Sequence, residues 1–270
     1  MAEEAAGPLE APGGARFGLE VLLVLGVSLG ESAVYSILRI IERMTRPEPL
    51  SAQTSTMNTS ATPERSWLDL AYQLANLAFP LVPVLLALYL LWLAAGPRAW
   101  PGDDPGVRPW HRIGFDLRRP RADLGRGVVV AAGIGIPGLA FYLFAREIGI
   151  NTNVAPANLA ENWWTVPIYL LAAVMNGILE EVLMLGWLFL RLRQLQWSWV
   201  AVLIVSAAVR GSYHLYQGFG GFAGNLVMGV VFGVLFLRWK RVGPLVVAHT
   251  VLDVVAFVGY AVVAPHVTWL

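Results

Sequence analysis

Residues 175–190 read MNGILEEVLMLGWLFL. Glu180 and Glu181 stand side by side in an otherwise apolar run. The run lacks period-two alternation and belongs to a stretch, 165–192, far too long for a strand, so it reads as a helix. One carboxylate inside such a helix is costly, and two adjacent ones demand a reason. What surrounds them is decided by the chain as a whole. Its 270 residues are 57% hydrophobic and 14% charged, with a mean hydropathy of +0.60. That is too apolar for an ordinary soluble domain and fits a polytopic membrane protein, in which runs of about 20 apolar residues cross the bilayer.

Outward from the glutamates, the same test finds seven candidate spans: 17–41, 67–95, 126–147, 165–192, 197–217, 222–239 and 243–264. An eighth arises if the fourth stretch divides near Pro167. The predicted fold is therefore all-α, a transmembrane helical bundle of seven or eight spans. Residues 1–16 are acidic and rich in Pro and Gly, which suits a disordered tail and is the wrong flank for a signal peptide. Residues 17–112 hold the first membrane helices and a basic loop, 113–264 form the core, and 265–270 a short tail. Residues 42–66 read as a polar connector.

Charge sets expectations about partners and orientation. A net charge of +1 gives no case for a nucleic-acid partner, and the absence of cysteine removes disulfides, thiolate ligands and a thiol nucleophile. The glycine-rich GFGGFAGN at 218–225 lacks the Lys and Ser/Thr of a phosphate loop, so nucleotide binding is rejected. Arg98, Arg108, Arg112, Arg118, Arg119, Arg121 and Arg126 crowd one loop, and Arg191, Arg193, Arg238, Lys240 and Arg241 follow later spans. The positive-inside rule places these loops in the cytoplasm, and in a bacterium the membrane is the plasma membrane. Arg39, Arg43, Arg46 and Arg65 run against that rule.

Ionisable groups within spans are rare and mark functional sites by default; each costs roughly 2.5–3.5 kcal/mol on insertion scales. The later spans hold Asn176, Glu180, Glu181, Arg210, His214, Asn225, His249 and Asp253, and the first holds Glu31, isolated in the map. Asn176 and Glu180 are four apart, as are Arg210 and His214, and His249 and Asp253, so three helices each carry a polar pair on one stripe. Counted at about 1.5 Å per residue from the cytoplasmic ends, Glu180 lies roughly 18 Å deep, His214 about 26 Å and His249 about 9 Å. These depths do not coincide. Asn176 and Asn225 read as packing glue, Gly224, Gly229 and Gly233 as points of close helix approach, and His111 and His266 as solvated.

EEVLMLG at 180–186, RGSYH at 210–214 and HTVLD at 249–253 fall in order on successive spans. Over about residues 113–264 the pattern resembles the CPBP family of intramembrane proteases, which includes the type II CAAX prenyl endopeptidases and bacteriocin-processing proteins. The family signature is EExxxR, then FxxxH, then HxxxN or HxxxD. Two positions depart from it: Leu185 stands where the family has arginine, and Arg210 where it has phenylalanine. Arg210 shares a helical face with His214, and it is expected to supply the cation that position 185 lacks by pairing with Glu180 and Glu181.

The resemblance implies an intramembrane endopeptidase acting on a membrane protein or peptide. It implies Glu180 as general base, His214 as the group that positions the water, His249 and Asp253 on the substrate carbonyl or its oxyanion, and Glu181 as a supporting acid. Ionised Asp253 can only accept hydrogen bonds, which suits it better to orienting His249 or holding a metal. His214, His249 and Glu181 make an acceptable zinc set, and a metal-free glutamate and histidine site is equally drawable. No prenyl-binding pocket is legible. Two other readings stand beside the enzyme: a catalytically silent membrane scaffold or immunity-type protein, supported by Leu185, and a proton-coupled carrier, against which the lack of an internal repeat counts.

Overall fold

The computed structural model describes residues 14–93 and 107–267. Helices dominate because backbone in lipid must satisfy its own N–H and C=O groups. α1 (Gly14–Gly26) and α2 (Leu29–Met44) form a pair bent by 54°. α3 (Ser66–Ala78) and α4 (Leu81–Leu93) run on as one span, Ser66–Leu93. The short α5 (Pro109–Arg112) precedes α6 (Pro120–Glu147). α7 (Thr165–Glu181) continues through a π-helical turn, Val182–Trp187, into α8 (Leu188–Gln194). α9 (Trp199–Tyr213) and α10 (Phe219–Trp239) follow. α11 (Gly243–Val254) passes through a second π turn, Val255–Gly259, into α12 (Tyr260–Val263).

The chain is a multi-pass membrane protein with an all-α bundle, and the span count is corrected. Among the described residues five helices are long and apolar enough to cross, or six if the bent pair counts as one. The expected fifth span at 197–217 is the shortfall: α9 has 15 residues, about 22 Å, and stops just before His214. No eighth span arises at Pro167, because that residue lies in the first turn of α7, where a missing N–H breaks no helical bond. The irregularity sits instead at 182–187, directly after the two glutamates. The expected tail at 1–16 is shortened at its inner end, since α1 begins at Gly14, and residues 1–13 lie outside the described residues. Residues 94–106 of the basic loop, Arg98 among them, also lie outside. At the other terminus a 3-10 turn, Ala264–His266, enters the expected tail.

The connector at 42–66 is more ordered than its composition suggests. It carries β1 (Thr54–Thr56), which pairs in parallel with β2 (Asn153–Ala155), and Ser55 Oγ meets Thr152 Oγ1 at 2.8 Å. Three-residue strands are too short to leave a readable alternation. The arginines that opposed the orientation rule are largely held locally: Arg46 by Glu42, Arg65 by Glu64, and Arg43 by the Thr54 carbonyl.

The core centres on the helix that carries the glutamates. The Thr165–Gln194 span has 61% of its apolar window buried, against 11–28% for the other four, so it is the enclosed axis of the bundle. Leu183, Met184, Trp187 and Phe189 pack there against Val202, Phe232, Phe236 and Leu245. α9 and α10 approach closely over Gly229 and Gly233: a β-carbon at 229 would stand 2.9 Å from Ala207 Cα, and one at 233 would stand 2.3 Å from Leu203 Cδ1. Gly224 does not share that role, since a β-carbon there would make ordinary contact, 3.7 Å, with the Phe141 ring.

Between the spans, a polar clamp fixes the start of α11. Arg241 donates to Asp123 Oδ1 and Oδ2 at 3.1 and 2.6 Å and to Asp116 Oδ1 at 3.0 Å. The Val242 and Gly243 amides donate to the Ile113 and Gly114 carbonyls. His111, expected to be solvated, meets Asp116 Oδ2 at 2.8 Å. Burial opposes ionisation of Asp116, but the Arg118 amide, His111 and Arg241 outweigh it and hold its carboxyl below the usual range. A depressed folded pKa gives stability that is present above about pH 4 and lost as pH falls through the folded value. Asp116→Asn is therefore expected to cost about 2 kcal/mol at neutral pH, with the gap to wild type closing below about pH 4. Thermal unfolding in detergent across pH 3–7 checks it, and a gap that does not change with pH contradicts it.

Candidate active site

The site is built where α7, α9 and α11 face one another. A glycine sets the α7–α11 spacing: a β-carbon at Gly177 would stand 2.8 Å from Thr250 Oγ1 and 3.0 Å from the Val246 carbonyl. One turn further along α7, Glu181 Oε1 accepts from Arg210 Nη2 of α9 and from His249 Nδ1 of α11, each at 2.7 Å. Glu180 Oε2 accepts from Tyr213 OH at 2.6 Å and lies 3.5 Å from Arg210 Nη1. Asn176 Nδ2 donates to Asp253 Oδ2 at 2.9 Å, and Asp253 Oδ1 lies 3.7 Å from His249 Nε2. The π turn that begins at Val182 widens the helix immediately after this pair, and the second π turn begins two residues after Asp253.

The unequal depths counted from the sequence do not keep the α7 and α11 side chains apart. Val242 and Leu245 are fully buried, and the amides of 242 and 243 are bonded to the 113–114 backbone. α11 thus begins packed inside the protein, and His249 meets Glu181 at 2.7 Å despite the different counted depths. His214 caps the short α9, with Nδ1 3.1 Å from the Arg210 carbonyl. A carbonyl only accepts, so Nδ1 carries the proton and Nε2 is the remaining free ring nitrogen. The same reasoning for His249 on the Glu181 carboxylate leaves its Nε2 available.

The two glutamates differ in kind. Glu181 is 0% exposed, its Oε1 accepts from Arg210 and His249, and its Oε2 has no hydrogen-bond partner among the described residues. Glu180 is 9% exposed, and its Oε1 has no hydrogen-bond partner among the described residues. One carboxylate joins two helices to α7 through a single oxygen, and the other meets α9 alone.

Glu180, Glu181 and His249 each offer a ligand atom, all within 4.8 Å of one another, and Glu181 Oε2 is buried without a hydrogen-bond partner among the described residues. That donor set fits a divalent cation. It is not the expected set: Glu180 takes the place of His214, whose ring is tied to the end of α9 by the Arg210 carbonyl.

Sequence reasoning missed Tyr213. It lies between the ends of RGSYH, three residues after Arg210 and so on nearly the same face, and that spacing could have found it. Asn225 does not glue helices together; its amide returns to the Gly221 carbonyl of its own helix.

The fold and these contacts define a class: a multi-pass membrane protein in which the Glu180 and Glu181 carboxylates of α7, Arg210 and Tyr213 of α9 and the His249 imidazole of α11 meet inside the bundle. The family model described as type II CAAX prenyl endopeptidase Rce1-like matches residues 162–255. That segment holds every site residue named from the sequence, and over it the resemblance to the CPBP family is shown. No curated protein and no solved structure matches the chain.

Proposed function

We propose that the chain is an intramembrane endopeptidase that hydrolyses a peptide bond of a membrane-associated protein or peptide. The observation that carries this reading is the unequal setting of the glutamates: Glu181 is fully buried and ties Arg210 and His249 together on one oxygen, whereas Glu180 is 9% exposed and its Oε1 has no hydrogen-bond partner among the described residues. Glu180 takes a proton from water as the water attacks the scissile carbonyl, and returns it to the leaving amine. Tyr213 holds the opposite oxygen of Glu180 and fixes the carboxylate plane. His214, with Nε2 free, accepts from the attacking water and orients it. His249, steadied by Glu181, presents Nε2 to the carbonyl oxygen, and its protonated form donates to the developing oxyanion. Asp253, held by Asn176, stands beside that same nitrogen. Arg210 balances the charge of both glutamates.

Glu180, Glu181 and His249 are the residues that would hold a zinc ion; bound there, it would supply Lewis acidity and a more acidic water. Purified protein with a panel of single-span peptides in micelles, read by mass spectrometry of the fragments, tests the proposal, and a chelator arm tests the metal. Tyr213→Phe is expected to lower kcat about tenfold at unchanged KM, because it frees the base without removing it. Equal kcat in the two proteins contradicts the role given to Tyr213. Leu185, 1% exposed in the apolar core where the family places arginine, favours the silent scaffold as the second reading. Under that reading no peptide in the panel is cut.

A further inference from the structure

Glu31 has no place in the site above. It stands exposed as the third residue of α2, with no hydrogen-bond or ion-pair partner among the described residues. It lies near the middle of the bent path formed by Ala15–Gly26 and Leu29–Met44, which together are long and apolar enough to cross a membrane, and a lipid-facing carboxylate midway along such a path is costly. The bend opens a groove of about 530 Å³ beside it, lined by Leu22, Leu25, Gly26, Gly30 and Tyr35 with Glu31. The two glycines differ. A β-carbon at Gly30 would stand 2.6 Å from the Leu25 carbonyl oxygen, so the bend itself needs that glycine. A β-carbon at Gly26 would meet nothing within 4 Å, so the chain's own packing does not require the bare floor there.

Charge selects the occupant. Two copies related by an axis along the membrane normal would set Glu31 at the same depth as its counterpart, carboxylate toward carboxylate. Residues 1–13 contain no Lys or Arg. A lipid headgroup does not reach mid-depth. A membrane-spanning segment with one basic residue at that depth meets every condition. On its inner side α2 touches the turn after His214, where the Tyr216 amide donates to Ser36 Oγ at 2.6 Å, so a segment seated in the groove lies one helix from the site.

We propose that the α1–α2 groove seats the membrane-spanning segment of the substrate, with a basic residue of that segment paired to Glu31. The word substrate rests on the endopeptidase reading, whereas the binding rests on the groove alone. The probe is a labelled Leu/Ala helix of about 20 residues with one central lysine, reconstituted in liposomes with the Glu180→Gln protein and read by energy transfer. The same helix with leucine at the centre is the control. The lysine helix is expected to associate at least tenfold more tightly than the control. Glu31→Gln and Gly26→Leu, the second filling the groove, are each expected to abolish that margin. Equal association of the two helices, or a margin that survives Glu31→Gln, overturns the proposal. Cross-linking of the protein to itself through Gly26→Cys, lost in Glu31→Gln, assigns the groove to a second copy and overturns it as well. No cleavage is read, so failure of the enzyme reading leaves this result standing on its own.

Discussion

Glu180→Gln is expected to lower peptide cleavage by ~10²–10⁴-fold while the protein stays folded. Glutamine has nearly the same volume and keeps an oxygen for Tyr213 OH, which lies 2.6 Å from Glu180 Oε2. What it cannot do is take a proton from water. The neighbouring substitution is expected to behave differently. Glu181→Gln disturbs the single oxygen that serves both Arg210 and His249, so stability and activity should fall together. Cleavage rates and thermal unfolding of the two variants, compared side by side, check this. Equal behaviour of the two would contradict the division of roles between them.

Arg210→Leu is expected to destabilise the fold by about 3–5 kcal/mol, the range for removing one partner of a buried ion pair. Arg210 is 1% exposed and is the cation for both glutamates. Without it Glu181 keeps only His249, and Glu180 keeps Tyr213. Nothing polar replaces the guanidinium, because the surrounding core is apolar: Arg210 itself lies over the Phe232 ring, 5.5 Å from its centroid. The family form offers a second test. Leu185→Arg together with Arg210→Phe is expected to retain stability that Arg210→Phe alone loses, if the two positions exchanged one charge. Chemical unfolding of both in detergent measures this, and collapse of the double variant with each single one tolerated counts against the exchange.

What the sequence could carry depended on length and period. The 165–192 stretch is legible because it is long and apolar, with Asn176 and the glutamates the only strongly polar residues before Arg191. The i, i+4 pairs on three helices were legible because helical geometry puts such residues on one face. Which of them touch was not. His249 reaches Glu181 from a helix whose start is clamped by Arg241, just before it, to Asp116 and Asp123, which are far from it in sequence. The shortness of α9 was hidden because apolar residues extend past its ends. The parallel pairing of Thr54–Thr56 with Asn153–Ala155 joins segments nearly a hundred residues apart, and three-residue strands carry no period. Tyr213 was passed over because the motif around it is defined by its first and last residues. Glu31 was seen as isolated from the sequence, but only the bend between α1 and α2 gives it a groove.

The purpose of the buried polar cluster is tested most directly by cleavage of a single-span peptide in ¹⁸O-labelled water, with wild type and His214→Ala run in parallel. Hydrolysis at this site predicts that wild type places ¹⁸O in the new carboxyl terminus and that His214→Ala, still folded, yields almost no product. Undiminished cleavage by His214→Ala would contradict the account, because the bond would then be cut somewhere other than the meeting point of α7, α9 and α11.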